Sequence, residues 1–272
     1  MGLRVNSNLF SMTAQRNLSN ISQRLGGNFS RLSSGLRIAS AADDAAGLGI
    51  SERMRSQIRS LQQAGRNAND GISLVQTAEG AMAEVSSNLV RMRELAVQAS
   101  NGTLNTGDRA ALDEEFQALI EEIDRVADQT TFNSVELLDG STASISIQVG
   151  TESGETIAID LTDVNTSDLG LSGAGVDTTT NANDALDLID SAIDDVATAR
   201  GDLGAAQNRI TSSVRSIAAT AENLSAAESR IRDVDVASET ADLTRNSILQ
   251  QAAVSVLVQA NVQPQLALSL LG

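Results

Sequence analysis

The sequence predicts a mainly α-helical protein, a bundle of long helices of coiled-coil type with a small β-hairpin region and paired terminal helices. Three observations predict this fold class. Apolar residues recur at helical spacing through most of the chain. The 272 residues contain only one Pro, the residue that most often interrupts helices. Aromatic residues are limited to four Phe, so Ala, Leu, Ile and Val must supply the packing, which favours closely spaced helices.

The first predicted helix lies near the N-terminus and ends at about residue 35. An apolar seam at steps of three and four residues runs along it: Leu18, Ile21, Leu25, Phe29, Leu32 and Leu36. The run ends at Ser33, Ser34 and Gly35, because Gly suits a helix C-terminus and the nearby Arg31 favours the negative end of the helix dipole.

A segment of small residues follows this helix and holds the first two acids of the chain, Asp43 and Asp44. Adjacent residues on a helix point roughly 100° apart, so these carboxylates cannot share one proton or flank one bond. As N-cap and first-turn acids they favour the positive end of the next helix. Arg37 is a candidate ion-pair partner across the break. The pair therefore predicts a structural link rather than a catalytic or metal site.

Two long helices, at about 45–99 and 183–231, carry an apolar residue at every seventh position. The equal length of these two series predicts that the helices are partners, and the turns between them favour an antiparallel pairing. The second long helix begins near Asn183 and Asp184, which suit an N-cap and a first turn. The series are Met54, Leu61, Ala68, Val75, Met82, Leu89 and Ala96, and Ile189, Val196, Leu203, Ile210, Ile217, Leu224 and Ile231.

The segment between these helices predicts a shorter helix, followed by residues with a strand-like rather than a helical pattern. The apolar residues Leu112, Phe116 and Ile123 predict a helix over 105–129. "SISIQVG" and "ETIAIDL" alternate apolar and polar residues around "GTESGE", which predicts a β-hairpin within 141–161. The Gly-, Ser-, Thr-, Asn- and Asp-rich stretch that follows predicts a polar loop.

The last predicted helix, at about 237–270, is apolar on nearly every face along "ILQQAAVSVLVQANV". A helix that is apolar all round must be buried all round, but a terminal helix in a single chain has only one side against its own body. The pattern predicts that the two terminal helices pack against each other and against further copies. The alternative is a buried central helix of a globular bundle.

Composition excludes most kinds of catalysis. The chain has no His, no Cys and no Lys, so Ser–His and Cys–His nucleophiles, zinc sites with N or S ligands and Schiff-base chemistry are excluded. Carboxylate-only chemistry such as glycoside hydrolysis survives this exclusion. We expect no enzyme activity, no cofactor and no metal. The net charge of −16 argues against nucleic-acid binding, and no apolar run approaches the roughly 18–20 residues of a membrane span.

The first 42 residues contain five Arg and no acid. Such a basic, Ser-rich start also fits an organellar transit peptide. In "LVRMRELAVQASNGT", Arg91, Leu95 and Gln98 lie at helical spacing. That face is either an ordinary solvated stripe or a partner-contact surface, and spacing does not separate the two.

Several long motifs resemble bacterial flagellin over about residues 1–140 and 185–272. They include "AQRNLSNISQRLGGNFSRLSSGLRIASAADDAAGLGISERMRSQIRSL", "NANDGISLVQTAEGAM", "RMRELAVQASNGT", "EIDRVADQTTFN" and "ESRIRDVDVASETADLTRNSILQQAAVSVLVQANVQPQLALSLL". The resemblance implies a structural subunit of the flagellar filament, which is secreted by the flagellar type III apparatus, becomes extracellular and assembles into a helical tube used for swimming. It also implies that the basic N-terminal helix stays in the mature subunit, against the transit-peptide alternative.

The resemblance implies two domains. The terminal helices form an inner coiled-coil domain with its spoke, here 1–44 and 236–272, and the outer core domain is 45–235. The short stretch after the hairpin predicts a subunit without a large variable outer domain. Candidate self-assembly residues are the seam of the first helix together with Ile248, Leu249, Val256 and Leu257. Candidate spoke residues are Arg37, Asp43, Asp44, Asp233 and Asp235.

The implied partners are further flagellin subunits, a flagellar export chaperone, and the filament cap and junction proteins. The resemblance also implies recognition by the vertebrate flagellin-sensing Toll-like receptor through Arg91, Leu95 and Glu115. A hook–filament junction protein of the same flagellum is the alternative function, and the ending "QANVQPQLALSLL" favours flagellin over it.

Overall fold

The computed structural model describes the backbone of residues 7–269 and the side chains of residues 7–263. Residues 1–6 and 270–272 of the predicted inner domain lie outside the described residues. The helices are α1 (Leu9–Ser34), α2 (Ala45–Ala99), α3 (Thr106–Gln129), α4 (Thr179–Arg232) and α5 (Val236–Ser269). The strands are β1 (Thr131–Phe132), β2 (Val135–Glu136), β3 (Ser144–Gln148) and β4 (Thr156–Asp160). The predicted mainly α-helical fold class is confirmed.

The chain divides into two compact units. The first consists of Met1–Ser56 and Asn223–Gly272, and the second is Gln57–Glu222. The assignment of 1–44 with 236–272 and of 45–235 to filament domains stays a prediction.

The core of the second unit is built on the two seven-residue seams. Their members from Ala68 to Ala96 on α2 and from Ile189 to Ile210 on α4 are buried in one hydrophobic cluster. Ion pairs on these helices show the direction of pairing, because Glu79 lies 3.9 Å from Arg200 while Asp190 lies 2.6 Å from Arg93. The residue number rises along α2 as it falls along α4, so the predicted antiparallel arrangement is confirmed.

Helix α3 packs its apolar face into the same cluster through Phe116 and Ile123. It begins with a capping box, in which the Asn105 side chain accepts from the backbone N–H of Asp108 and the Asp108 carboxylate accepts from the N–H of Asn105. The prediction of 105–129 is confirmed to within one residue.

The predicted start of α4 is wrong by four residues. The helix begins at Thr179, and the hydroxyl of Thr178 accepts from the backbone N–H of Asn181 as an N-cap does. The run "TTTNAND" offers Thr, Asn and Asp as alternative caps, and the first of these prevails. Asn183 and Asp184 therefore lie within the first turns.

The predicted hairpin is confirmed as the antiparallel pair of β3 and β4, with Ile145 opposite Ile159 and Ile147 opposite Ile157. A shorter hairpin, β1 with β2, was not predicted. Its turn places Asn133 and Ser134 at φ values of 50° and 64°, the left-handed conformations of a tight two-residue turn. Strands of two residues are too short to show alternation in a sequence.

The predicted polar loop after β4 has no helix or strand, but it is packed rather than solvated. Val164, Leu171 and Val176 are buried in the main cluster. Acidic residues of α3 hold its backbone: Asp124 accepts from the N–H of Thr166 at 2.8 Å, and Asp113 accepts from the N–H of Val176 at 2.7 Å. The segment is therefore a short cover for the core, with no room for a separate domain.

Candidate self-assembly surface

The terminal helices α1 and α5 pair antiparallel. The Ser11 hydroxyl donates to the side chain of Asn261 over 2.7 Å, and the Asn246 amide donates to that of Asn28 over 3.0 Å. The earlier residue on α1, Ser11, thus contacts the later residue on α5, Asn261. The two helices therefore run in opposite directions. The predicted pairing of the terminal helices is confirmed.

The predicted seam of α1 is only partly covered by this pairing. Leu18, Ile21 and Leu25 are partly buried, as are Leu32 and Leu36 further along. Phe29 is 56% exposed, so it does not face α5. Its neighbour Asn28 takes the buried position instead, because one face of a helix cannot hold both adjacent residues.

Large apolar side chains remain exposed on both helices of the pair. On α5, Ile248 is 61% exposed, Leu249 and Val256 are exposed as well, and Leu257 is partly buried. An adjoining groove of about 380 Å³ is lined partly by apolar groups of both helices. The other exposed large apolar residues of the pair are Leu9, Phe10, Met12, Val236, Val254, Val258 and Val262. We call this whole set, with Phe29, Ile248, Leu249 and Val256, the terminal apolar surface.

The two links between the helices of this unit meet in a small antiparallel bridge. Gly35 ends α1 in the left-handed conformation, with φ 72°, and donates to the carbonyl of Arg31, as predicted. Leu36 then pairs with Asp233, and the N–H of Val234 donates to the carbonyl of Gly35 over 3.0 Å. The link after α1 and the link before α5 are therefore in contact through Leu36 and Asp233.

Arg37 has a different partner from the one predicted. Its guanidinium donates to the backbone carbonyls of Ile231 at 2.7 Å and Arg230 at 3.4 Å, rather than to Asp43 or Asp44. The last carbonyls of a helix have no partner within the helix and carry partial negative charge, so a cation is favoured there. Arg37 thus caps the C-terminal end of α4.

The predicted spoke acids stabilise different elements. Asp44 caps α2, since its carboxylate accepts from the N–H groups of Ala46 and Gly47 at 3.0 and 2.9 Å. Asp235 caps α5 in the same way, accepting from the N–H of Ala237 at 3.0 Å. Asp43 does not cap a helix, which corrects the prediction that both acids open α2.

The Asp43 carboxylate instead closes the loop before α2, where it accepts from the N–H and hydroxyl of Ser40 at 2.9 and 3.0 Å. These hydrogen bonds, the N–H bond foremost, lower the pKa of Asp43 below its ordinary value. The structural interpretation of the acid pair holds, although each acid stabilises a different element.

Two further features of the junction escaped prediction. The Glu52 carboxylate accepts from the guanidinium of Arg232 at 2.6 Å, and this bond lowers the pKa of Glu52. Gly47 allows a close approach, since a Cβ there would lie 2.5 Å from the Asp44 carboxylate and 2.8 Å from Ile38. Ile38 is buried in this contact. In the sequence it is an isolated large apolar residue within "RIASAADD", and that isolation is the signal that could have predicted the contact.

The three predicted receptor residues differ in how far their side chains are exposed to solvent. The Arg91 guanidinium donates to Glu115 at 2.7 and 2.9 Å and to Glu94 at 2.9 Å, and these bonds, led by the one to Glu115, raise the pKa of Arg91. Leu95 is only 1% exposed, so the prediction that it lies on this surface is wrong. The apolar face of α2 is wide enough to draw Leu95 into the core beside Met92 and Ala96, although it stands one turn from Arg91.

Two family models match this chain. The bacterial flagellin N-terminal helical region matches residues 5–143, and the bacterial flagellin C-terminal helical region matches residues 186–271.

The chain belongs to the bacterial flagellin family.

Relatives match this flagellin over nearly its whole length. It is 53% identical to a flagellin of Halalkalibacterium halodurans over 270 residues, 98% of this chain and 99% of the relative. It is 41% identical to a flagellin of Bacillus subtilis over 303 residues, 99% of this chain and 100% of the relative. The crystal structure of Bacillus cereus flagellin is 32% identical, with a TM-score of 0.53, and the match covers 60% of this chain and 94% of that one.

The predicted resemblance is confirmed, and this is a filament-subunit flagellin without a large outer domain. Flagellins are structural proteins that polymerise into the flagellar filament. Within the described residues, no helix combines the length and apolar character that crossing a bilayer requires.

Proposed function

We propose that this flagellin polymerises by burying the terminal apolar surface of α1 and α5 against the same helices of other copies. The observation that carries the proposal is the exposure of Phe29, Ile248 and Val256 in a single chain. Burial of apolar area is worth about 25 cal/mol per Å², so a helix pair lined with large apolar groups gains most from further partners. Many large exposed apolar side chains on one helix pair are typical of an interaction site.

Seeded polymerisation of the purified full chain tests this proposal. Ile248→Glu and Val256→Glu place a charge on the terminal apolar surface, and we expect each to abolish growth from seeds, because burying an unpaired carboxylate is costly. Leu188→Glu is the matched control, since Leu188 is an exposed apolar residue of α4. Normal growth of the two α5 variants, measured by light scattering and electron microscopy, would contradict the proposal.

The same resemblance supports export through the flagellar type III apparatus, with an export chaperone, filament cap and junction proteins as partners, and an extracellular filament as destination. The role proposed is structural, without catalysis. Mass spectrometry of subunits from purified extracellular filaments tests the route, and we expect a mass that keeps the basic segment at the start of the chain. A subunit shortened by that segment would support a cleaved signal instead.

A hook–filament junction protein remains the weaker alternative. The relatives that match across the full chain are flagellins, which favours the main filament. Abundance in purified filaments distinguishes the two, because a junction protein is a minor component at one end.

Arg91 and Glu115 are proposed as contacts for the vertebrate flagellin-sensing receptor. Both side chains are about half exposed, and each engages the other. We expect Arg91→Ala and Glu115→Ala to weaken receptor signalling by the monomer in reporter cells. Arg125→Ala, which removes an ion-paired Arg on α3, is the control and should leave signalling unchanged. Unchanged signalling by the first two variants would contradict the proposal. Intact filaments are expected to signal less than monomer.

A further inference from the structure

The contact between α1 and α5 buries an unusual mixture of residues. Among the described residues of these two helices, the buried apolar side chains are Ala14 and Ala260, while the buried polar ones are Ser11, Asn28 and Glu239. A helix pair in water ordinarily buries its large apolar groups at the contact. Here Leu18, Ile21 and Leu25 are only partly buried, whereas the polar residues Ser11, Asn28 and Glu239 are buried.

Four polar side chains meet where the end of α1 lies against the start of α5, and we call them the inner polar layer: Asn28, Arg31, Glu239 and Asn246. The Asn28 amide donates to the Glu239 carboxylate over 2.7 Å and accepts from the Asn246 amide over 3.0 Å. The Arg31 guanidinium lies 3.9 Å from the second oxygen of Glu239. Asn28 thus uses both its donor and its acceptor on α5, which satisfies its buried amide.

A second set of polar contacts joins the start of α1 to α5, and we call it the outer polar layer. The Asn8 amide donates to the backbone carbonyl of Ala260 over 2.8 Å, and the Ser11 hydroxyl donates to Asn261 over 2.7 Å. Asn8 is also the N-cap of α1, accepting from the N–H of Ser11. The cap that begins the helix is therefore tied to one place on its partner.

These layers differ physically from an apolar seam. Beside and between the two layers the partly buried residues of α5 include Leu243, Ala253 and Leu257, and such apolar side chains exchange neighbours with little penalty when one helix slides by a turn. Buried amides and carboxylates lose their partners in any slipped register, which leaves them desolvated and unsatisfied. A single buried Asn is known to fix register in coiled coils at some cost in stability.

We propose that the two polar layers determine the register of the α1–α5 pair and so select which apolar side chains stay outward for other copies. Asn28 and Glu239 are the specificity-determining residues of this device. It explains why the pair is joined by polar groups although both helices carry abundant apolar ones. The inference rests on the proposed polymerisation through the terminal apolar surface.

A partner swap in the full chain tests the inner polar layer. Asn28→Asp places a second carboxylate against Glu239, and we expect seeded filament yield to fall at least tenfold. Adding Glu239→Gln restores a donor and acceptor pair, because the amide introduced on α5 then donates to the carboxylate introduced on α1, which still accepts from Asn246. We expect the double variant to recover most of the wild-type yield. Gln15→Glu, which adds one carboxylate at an exposed position of α1 away from the grooves between α1 and α5, is the control.

An apolar replacement separates register from plain stability. In the triple variant Asn28→Leu, Glu239→Leu and Asn246→Leu, we expect helicity by circular dichroism to stay equal or rise, while regular filaments give way to irregular aggregates. Regular filaments from this triple variant at wild-type yield, or a swap that fails to recover polymerisation, would overturn the inference. Failure of the wild-type chain itself to polymerise would instead overturn the proposed function.

Discussion

The guanidinium of Arg37, just after α1, donates to the backbone carbonyl of Ile231, near the end of α4, over 2.7 Å. The N–H of the same residue donates to the carbonyl of Arg232, also over 2.7 Å. One residue of the N-terminal link thus closes the C-terminal end of a helix almost two hundred positions away. The two links that bound the terminal helices are therefore a single bonded junction.

Arg37→Ala is expected to destabilise this junction by about 1 kcal/mol, the usual worth of a cation at a helix C-terminus. The physical reason is that the last carbonyls of α4 lose a charged donor. Filaments should dissociate at a lower temperature, measured by light scattering during heating. Arg53→Ala, at an exposed position of α2 in the same unit, is the control and should leave that temperature unchanged.

Gly47→Ala is expected to destabilise the protein by up to about 2 kcal/mol, because overpacking a tight site costs about 1–3 kcal/mol and the helix gains about 1 kcal/mol from Ala. The new Cβ would lie 2.8 Å from Ile38 and 2.5 Å from the Asp44 carboxylate that caps α2. Gly49→Ala is the matched control, because nothing lies within 4 Å of a Cβ there and Ala favours the helix by about 1 kcal/mol. Thermal unfolding should rank Gly49→Ala above wild type and Gly47→Ala below it. The reverse order would contradict the described packing.

Acid is expected to weaken the junction through Asp43 and Glu52, whose pKa values both lie below the ordinary 3.8 and 4.5. A lowered pKa in the folded state means that the stabilising contribution is complete above the ordinary value and is lost as pH falls through the lowered one. The loss should therefore set in below about pH 4. Glu136 has a raised pKa and acts in the opposite sense, so single variants give the clearer measurement.

The variant for this measurement is Glu52→Gln, compared with wild type in melting temperature from pH 7 to pH 3. We expect the two proteins to differ at neutral pH and to converge in acid, because protonated Glu52 can no longer accept as a carboxylate from Arg232. A constant difference across this range would show that the ion pair contributes nothing to the pH dependence.

The seven-residue seam of α2 predicts that substitutions at two neighbouring residues change the free energy of unfolding by different amounts. Leu89 is fully buried, whereas Val90 is 49% exposed. Leu89→Ala should lose about 2–5 kcal/mol of unfolding free energy through lost burial and the cavity left behind. Val90→Ala should change it by about 0.5 kcal/mol or less. Denaturant titration of the monomer measures both, and equal losses would contradict the seam.

Periodicity predicted the long helices well, because one apolar residue in every seven is a signal repeated along α2 and α4. Periodicity did not predict side-chain positions that depend on one contact between residues far apart in the sequence. The partner of Arg37 is a backbone carbonyl, which carries no side-chain signature in the sequence. Leu95 has helical spacing to Arg91, but the width of the buried face is set by α3 and α4 together.

The terminal helices illustrate the same limit. Their apolar excess predicted partners beyond a single chain, and the exposed Ile248 and Phe29 agree with that pattern. The polar layers between α1 and α5 were not predicted, since Asn28 and Glu239 look like ordinary surface residues until they are placed opposite each other. Their role emerges from position rather than from residue type.

The most direct test of polymerisation through α1 and α5 is electron cryo-microscopy of filaments grown from the purified full chain. We expect Ile248 and Val256 of each subunit to be buried against terminal helices of neighbouring subunits, with Asn28 still bonded to Glu239 inside each chain. Filaments in which these apolar side chains face solvent, or in which subunits join only through residues 57–222, would contradict it.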